Sequence, residues 1–187
     1  RQMCIRDSFY TDPKLAWGFY GLRLNAYRAV EPHQGFHLLK EWSDVLPNLK
    51  NGSFVFTSNV DGEFQKVGFK DDNVFECHGS IHWLQCLENC TQDIWSSDNF
   101  KPVVDKEYCQ LINDFPTCPH CGGMARPNIL MFGDWHWKSQ MQDEKEQKLM
   151  AWLKQVKNLA IIEIGAGTAV PSVRNFGERL VQHSINE

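Results

Sequence analysis

The sequence predicts an α/β fold, a parallel sheet with helices on both faces, that carries a small inserted metal-binding module. Short apolar runs typical of buried strands alternate with longer stretches of helical periodicity, as in parallel sheets. Two of these runs end in polar clusters, the position at which an open α/β sheet places ligand-binding side chains. Residues 83–125, between the second and third runs, hold four paired cysteines and few aliphatic residues, which indicates the inserted module.

The size and composition of the chain favour one such domain. With 187 residues, of which 42% are hydrophobic, it can bury a substantial core. A net charge of −4 and the lack of a lysine–arginine block argue against nucleic-acid binding. No apolar run approaches the roughly 20 residues that span a bilayer. We therefore expect neither nucleic acid nor a membrane as a partner.

The predicted helices begin near prolines. Apolar residues recur at three- and four-residue steps after Pro13, which suits a first helical turn, and Pro32 separates this helix from a second one. Further helices are predicted from about Ser139 to Lys157 and after Pro171. Residues 1–8 have neither periodicity nor an apolar face, so we expect them to be disordered or non-native.

Four strands are predicted, at residues 54–57, 74–77, 129–132 and 159–164. Together with the helices they define one α/β domain, residues 9–82 and 126–187, interrupted by the module at residues 83–125. Glu163 lies inside the fourth apolar run and needs a partner if it is buried. Arg174 is a candidate for that partner.

The spacing of four cysteines predicts a structural zinc site. Cys86 and Cys90 have three residues between them, and Cys118 and Cys121, with two between them, follow 27 residues later. Each pair can bind one side of a tetrahedral Zn²⁺, and four thiolates leave no open position for a catalytic water. Cys109 has no close partner, so we expect it to remain free. Cysteines used for metal rather than disulfides favour a reducing compartment, and we expect a cytoplasmic protein.

Polar residues follow the first two predicted strands. Ser58, Asn59 and Asp61 come after the first strand and His78 after the second. Because parallel strands end at the same edge of a sheet, an amide, a carboxylate and an imidazole should share one crevice. An imidazole titrates near pH 6.5, which suits a general base. The alternatives are an ordinary buried role for His78 and a helix-capping role for Asp61.

Five sequence segments occur in an order that resembles the sirtuin family. They are TSNVDG at residues 57–62, ECHGS at 76–80, the paired cysteines, CPHCGGMARPNILMFGD ending at residue 134, and IIEIGAGT at 161–168. The resemblance extends over roughly residues 13–187. It implies a Rossmann-like NAD-binding domain bearing a zinc module. It also implies an enzyme that transfers an acyl group from a lysine side chain to the ADP-ribose of NAD⁺ and releases nicotinamide.

The resemblance also implies roles for individual residues. His78 matches the catalytic general base, and Asn59 and Asp61 match the residues that position the nicotinamide ribose and hold the nicotinamide pocket. Phe132 and Gly133 match the strand end beside which the acylated substrate peptide lies. The positions that match the cofactor-binding residues are Ser58, Asn59, Asp61, Gly165, Ala166, Gly167 and Asn186.

The sequence departs from the family pattern at several of these positions. Ser58 replaces a glutamine, Asp134 replaces a glutamate, and Ala166 and Gly167 replace a threonine and a serine. The family's first strand and its glycine-rich phosphate loop should lie before residue 1. We therefore expect a divergent member whose 187 residues are a fragment, truncated at both ends and inactive alone.

Two other functions remain open. The replacements at Ser58 and in the Gly165–Gly167 loop change contacts to the cofactor and not the histidine, so NAD⁺ hydrolysis or ADP-ribosyl transfer is one alternative. The other is a module, stapled by zinc, that binds NAD⁺ or ADP-ribose without catalysis. Turnover that is lost when His78 is replaced distinguishes the enzymes from the module.

Overall fold

The computed structural model describes residues 5–45 and 52–185. The helices are α1 (Ile5–Thr11), α2 (Pro13–Ala29), α3 (Gln34–Val45), α4 (Glu63–Lys66), α5 (Gln140–Leu153) and α6 (Ser172–Ile185). The strands are β1 (Val55–Thr57), β2 (Val74–Glu76), β3 (Gly79–Cys86), β4 (Ile94–Ser96), β5 (Val104–Asp105), β6 (Gln110–Leu111) and β7 (Ala125–Ile129). A short 3₁₀ helix, Asp71–Asn73, precedes β2.

The amino-terminal helices extend further than the sequence indicates. Helix α2 begins at Pro13 as predicted, and Asp12 caps it by accepting a hydrogen bond from the backbone N–H of Leu15 at 3.1 Å. Helix α1 already starts at Ile5, and Ser8 is buried. The expectation of disorder therefore does not hold for residues 5–8, because their neighbour Phe9 anchors the helix in the core. Residues 1–4 lie outside the described residues.

The main hydrophobic core lies between α2 and the antiparallel sheet that carries the cysteines. Trp17 is 0% exposed at its centre, and its indole Nε1–H donates to the carbonyl of Ala125 at 3.1 Å. The other members come from helices α1 and α2, from the antiparallel sheet and from the loops beside it; among them are Phe9, Tyr20, Leu24, Ile81, Leu84, Leu87, Phe100, Leu111 and Met131. This core places α2 across the back of the module.

The first two predicted strands form a parallel pair, as the α/β prediction requires. Strands β1 and β2 pair in register from Val55 opposite Val74 to Thr57 opposite Glu76. Helix α5 packs against β2 and the 3₁₀ helix. Helix α6 contacts β1 through the stacked rings of Phe56 and Phe176, whose centroids are 4.1 Å apart. Both strands therefore end at one edge, which is the geometry the candidate site needs.

The third predicted strand, residues 129–132, is wrong in position and pairing. Strand β7 covers Ala125–Ile129 and runs antiparallel to β3 in a three-stranded sheet of order β4–β3–β7. Strand β3 itself was not predicted. The chain leaves the sheet after Ile129, so Phe132 is 78% exposed. Pairing with β3 fixes the strand, and an apolar run alone cannot reveal that partner.

The fourth predicted strand, residues 159–164, is also wrong in this structure. These residues are described and contain no strand, and Ile162 and Ile164 are 63% and 65% exposed. The predicted partner of Glu163 is confirmed, since Arg174 lies 3.0 Å from its carboxylate. The segment leads into α6, which begins one residue after Pro171.

Candidate functional site

The loop after β1 is held in a defined turn. The backbone N–H of Asn59 donates to Thr57 Oγ1 at 3.1 Å, and that of Glu63 donates to Asp61 Oδ1, also at 3.1 Å. Gly62 adopts a φ of +76°, a conformation that favours glycine, before α4 begins. The Asp61 carboxylate thus accepts the N–H of the first residue of α4, but the N-cap position belongs to Gly62 and not to Asp61, so the capping alternative is wrong in its position. The Asn59 residue faces solvent.

His78 lies two residues after the end of β2, beside this loop. Burial lowers the pKa of its imidazole below 6.5, although a hydrogen bond to the backbone of Ser58 opposes the shift. Its Nε2 atom lies 3.0 Å from Ser172 Oγ, at the start of α6. A lowered pKa leaves the ring neutral at pH 7, so it can accept a proton. The structure therefore brings the two strand ends together with the first residue of α6.

The remaining predicted cofactor residues lie near the carboxyl end of the chain. Gly165, Ala166 and Gly167 form the segment that leads to α6, and the Ala166 carbonyl accepts a hydrogen bond from Arg174 Nη2 at 2.9 Å. This segment reaches the His78 side of the sheet through Ser172, five residues after Gly167. Asn186 lies outside the described residues.

The four predicted metal ligands converge on one point. The Sγ atoms of Cys86, Cys90, Cys118 and Cys121 all lie within 4.8 Å of one another. Cys86 ends β3, and Cys118 and Cys121 flank a tight turn in which the N–H of Gly122 donates to the carbonyl of Cys118 at 2.9 Å. This donor set fits a tetrahedral, thiolate-ligated Zn²⁺.

The backbone beside Cys118 favours its thiolate, whereas hydrogen bonds with the thiols of Cys121 and Cys86 raise the pKa of Cys90. Burial opposes ionisation of Cys118, but hydrogen bonds from the backbone of Cys121 and His120 prevail and lower its pKa to about 7. Backbone donors of this kind stabilise the charged ligand that a metal requires. Cys109 does not belong to the cluster; it is half-buried in the turn between β5 and β6.

The predicted peptide-binding residues lie on an anchored loop after β7. Phe132 projects into solvent, and Gly133 has a φ of +65°. Asp134 pairs with Arg126 at 2.7 Å, and both side chains are only 2% exposed. Gln85, fully buried on β3, donates to the carbonyl of His136 at 2.8 Å. The loop is thus fixed from the sheet of the module while its aromatic tip stays accessible.

Sequence reasoning missed three residues of this site. Ser172 follows a proline at a helix start, a pattern that indicates capping and not contact with His78. His82 belongs to no motif, yet its Nε2 lies 2.8 Å from the carbonyl oxygen of Asp61. Burial raises the pKa of Glu76 to about 7, against a hydrogen bond from Gln65. Only a prediction of strand β3, in which alternate residues share a face, could have shown that His82 and His78 lie near one loop.

Parallel strand ends beside four converging cysteines define an α/β protein with a donor set that could hold a metal ion. The sequence profile of the Sir2 family matches residues 2–172, and the chain belongs to that family. No helix in the described part of the chain is long and apolar enough to cross a membrane.

Three curated relatives illustrate the range of the similarity. An NAD-dependent protein deacylase of Aquifex aeolicus is 28% identical over 133 residues, which are 71% of this chain and 48% of that protein. An NAD-dependent protein deacetylase of Saccharolobus solfataricus is 32% identical over 128 residues, 68% of this chain and 46% of that protein. A probable bifunctional ADP-ribose hydrolase/ADP-ribosyltransferase of Fusarium oxysporum is 31% identical over 180 residues, 90% of this chain and 29% of that protein.

Solved structures show the same fold. The crystal structure of a Sir2 homologue in complex with NAD aligns with a TM-score of 0.58 at 21% identity, covering 80% of this chain and 50% of that one. This chain therefore spans about half the length of the deacylases and deacetylases that it matches and less than a third of the fungal protein.

Proposed function

We propose that this chain carries the catalytic histidine of an NAD⁺-dependent protein-lysine deacylase, which transfers the acyl group to ADP-ribose with release of nicotinamide. The observation that carries the proposal is the half-buried, neutral imidazole of His78 at the end of β2, beside the Ser58–Asp61 loop at the end of the neighbouring parallel strand. The names of the relatives from Aquifex aeolicus and Saccharolobus solfataricus support it.

In this proposal each strand end has one task. NAD⁺, when bound, supplies the ADP-ribose acceptor and nicotinamide as the leaving group. His78 accepts a proton from a ribose hydroxyl through its neutral imidazole. Asn59 and Asp61 position the nicotinamide ribose and hold the nicotinamide pocket, and Phe132 and Gly133 bind the peptide that carries the acyl-lysine. Further cofactor contacts come from Ser58, Gly165, Ala166, Gly167 and Asn186.

We assign the four-cysteine cluster to a structural zinc ion within a module of residues 83–125. Residues 9–82 and 126–187 then form the NAD-binding domain. Four thiolates leave no site for an activated water, so the metal holds the module together and takes no part in the chemistry. Cysteines that serve as metal ligands rather than in disulfides are typical of a reducing compartment, so we place the protein in the cytoplasm.

A second function is favoured by one comparison. The fungal relative, a probable ADP-ribose hydrolase/ADP-ribosyltransferase, matches 90% of this chain, whereas the Aquifex deacylase matches 71%. The replacements at Ser58, Ala166 and Gly167 change contacts to the cofactor and leave the histidine in place. ADP-ribosyl transfer, or hydrolysis of NAD⁺, is therefore the second candidate.

The test is nicotinamide release from NAD⁺ with and without an acetyl-lysine peptide. It uses residues 1–187 and a form extended at the amino end by a family first strand and phosphate loop. We expect release from the extended form only, dependent on the peptide and lost in His78→Ala. The exposed His37→Ala is the matched control.

Since burial lowers the pKa of His78, the rate should stay constant above pH 6.5 and fall in more acidic buffer as the imidazole becomes protonated.

Each outcome separates the candidates. Release without peptide would favour the hydrolase or transferase. No release from a folded, zinc-loaded extended form would contradict both enzymes and leave a binding module. Release by residues 1–187 alone would contradict the expectation that these residues are inactive by themselves.

A further inference from the structure

The loop that carries Asn59 and Asp61 is held by β3 as well as by its own turn. The backbone N–H of Ile81 donates to the carbonyl of Val60 at 2.9 Å. One residue further along both segments, His82 Nε2 lies 2.8 Å from the carbonyl oxygen of Asp61. A carbonyl can only accept, so Nε2 carries the proton and donates it. Any residue other than proline at position 81 supplies the first bond, but the second depends on the His82 side chain.

The same imidazole packs against the turn itself. A Cβ atom placed on Gly62 would lie 2.9 Å from His82 Cδ2 and 3.0 Å from His82 Nε2, closer than van der Waals contact allows. Gly62 therefore serves twice: it adopts the positive φ of the turn, and it leaves room for the ring. His82 therefore contacts the loop both by a hydrogen bond and by packing.

We propose that His82 is a positioning residue, which clamps the Val60–Gly62 turn and thereby sets the placement of Asn59 and Asp61 for the nicotinamide ribose. This inference rests on the proposed function, because it assigns the loop to NAD⁺. The clamp works in both the neutral Nε2–H tautomer and the imidazolium, since both donate from Nε2. His82 moves no proton in the reaction and differs in this from His78.

Two substitutions separate donation from packing. His82→Phe keeps a flat ring and removes the donor, whereas His82→Gln supplies an amide N–H at a comparable reach. His37→Phe, on exposed helix α3, is the matched control. In the extended form, His82→Phe should raise the KM for NAD⁺ about tenfold, corresponding to about 1.4 kcal/mol for the lost bond. The KM for the acyl peptide should stay unchanged, and His82→Gln should recover most of the affinity.

Hydrogen exchange tests the clamp without any ligand. Amides in residues 57–66 should exchange about tenfold faster in His82→Phe and near the wild-type rate in His82→Gln, with the rest of the protein unaffected. Wild-type exchange in His82→Phe would overturn the inference. Equal acceleration throughout the chain would also overturn it, because His82 would then only stabilise the fold. Absence of nicotinamide release by the wild type would defeat the proposed function, and the exchange data would still decide whether the clamp exists.

Discussion

The antiparallel region, which comprises β3, β4 and β7 with the helices α1 and α2 that pack on them, differs from the parallel β1–β2 region in how completely its strands are supported. In the antiparallel region, β3 pairs on both sides, with β4 and β7, and its inner face packs on the core around Trp17. In the parallel region, β1 and β2 pair with each other, and the apolar residues 159–164 form no strand beside them and leave Ile162 and Ile164 exposed. Apolar β-branched residues become a strand only where a neighbour accepts and donates their backbone hydrogen bonds.

The difference shows that the antiparallel region is the more self-sufficient part of the described chain. Its core combines α1 and α2 with the antiparallel sheet, and four thiols converge beside it. The predicted catalytic residues lie where the two regions meet, since His78 joins β2 of one to β3 of the other. Changes in the antiparallel region should therefore affect stability most, and changes in the parallel region should affect the site.

The largest expected effect is the loss of the metal site. Structural zinc sites of this kind contribute ~10–16 kcal/mol of binding free energy, comparable to or larger than the stability of a typical domain. Cys118→Ser should therefore abolish stoichiometric zinc and the near-ultraviolet circular dichroism of the core tryptophans. Cys109→Ser, which changes a half-buried cysteine outside the cluster, should retain both. A Cys118→Ser protein with full zinc and an intact spectrum would show that the four cysteines are not the ligand set.

A smaller effect is expected from truncation of a side chain in the core of the antiparallel region. Trp17→Ala should lower the free energy of unfolding by about 3–5 kcal/mol, because the indole is fully buried and donates to the Ala125 carbonyl. Phe176→Ala removes a partly exposed ring stacked on Phe56. It should lower the free energy of unfolding by only about 1 kcal/mol. Urea unfolding of both variants measures the difference. Equal costs would remove the distinction between the two regions.

The smallest effect concerns the charge of Glu76 in the parallel region. Burial raises its pKa from the ordinary 4.5 to about 7; a hydrogen bond from Gln65 and the charge of Lys145 oppose the shift, and Asp71 and Asp61 add to it. Below pH 4.5 both folded and unfolded states are protonated. Between these values the unfolded state has lost the proton that the folded state keeps, so the free energy of unfolding falls as pH rises through this window.

This dependence can be isolated with one substitution. Glu76→Gln keeps the shape of the side chain and removes the ionisation. The difference in free energy of unfolding between this variant and the wild type should therefore be about 1–3 kcal/mol more in favour of the variant at pH 8 than at pH 4.5. The exposed Glu88→Gln should follow the wild-type curve. Parallel pH curves for Glu76→Gln and wild type, measured by urea unfolding, would show that Glu76 does not titrate in this window.

Much of the site was predictable from short segments of sequence. The two cysteine pairs specify a tetrahedral donor set by their spacing. The apolar runs before Ser58 and His78 specify two strands with polar ends, and Pro13 after Asp12 specifies the start of α2. Each of these signals lies within a few residues of the structure it determines, so no knowledge of distant partners is needed.

Other features depend on residues far apart in the sequence. The sequence alone determined the family, the four cysteines that converge on one point and the strand ends that carry Asn59 and His78. Only the tertiary structure decided that residues 125–129 pair with β3, that Ser172 reaches His78 from 94 positions away, and that His82 holds the Asp61 carbonyl. Strand pairing and side-chain contacts of this kind follow from the way the whole chain packs, because the same apolar or polar residue is stable in several local settings until a distant neighbour selects one.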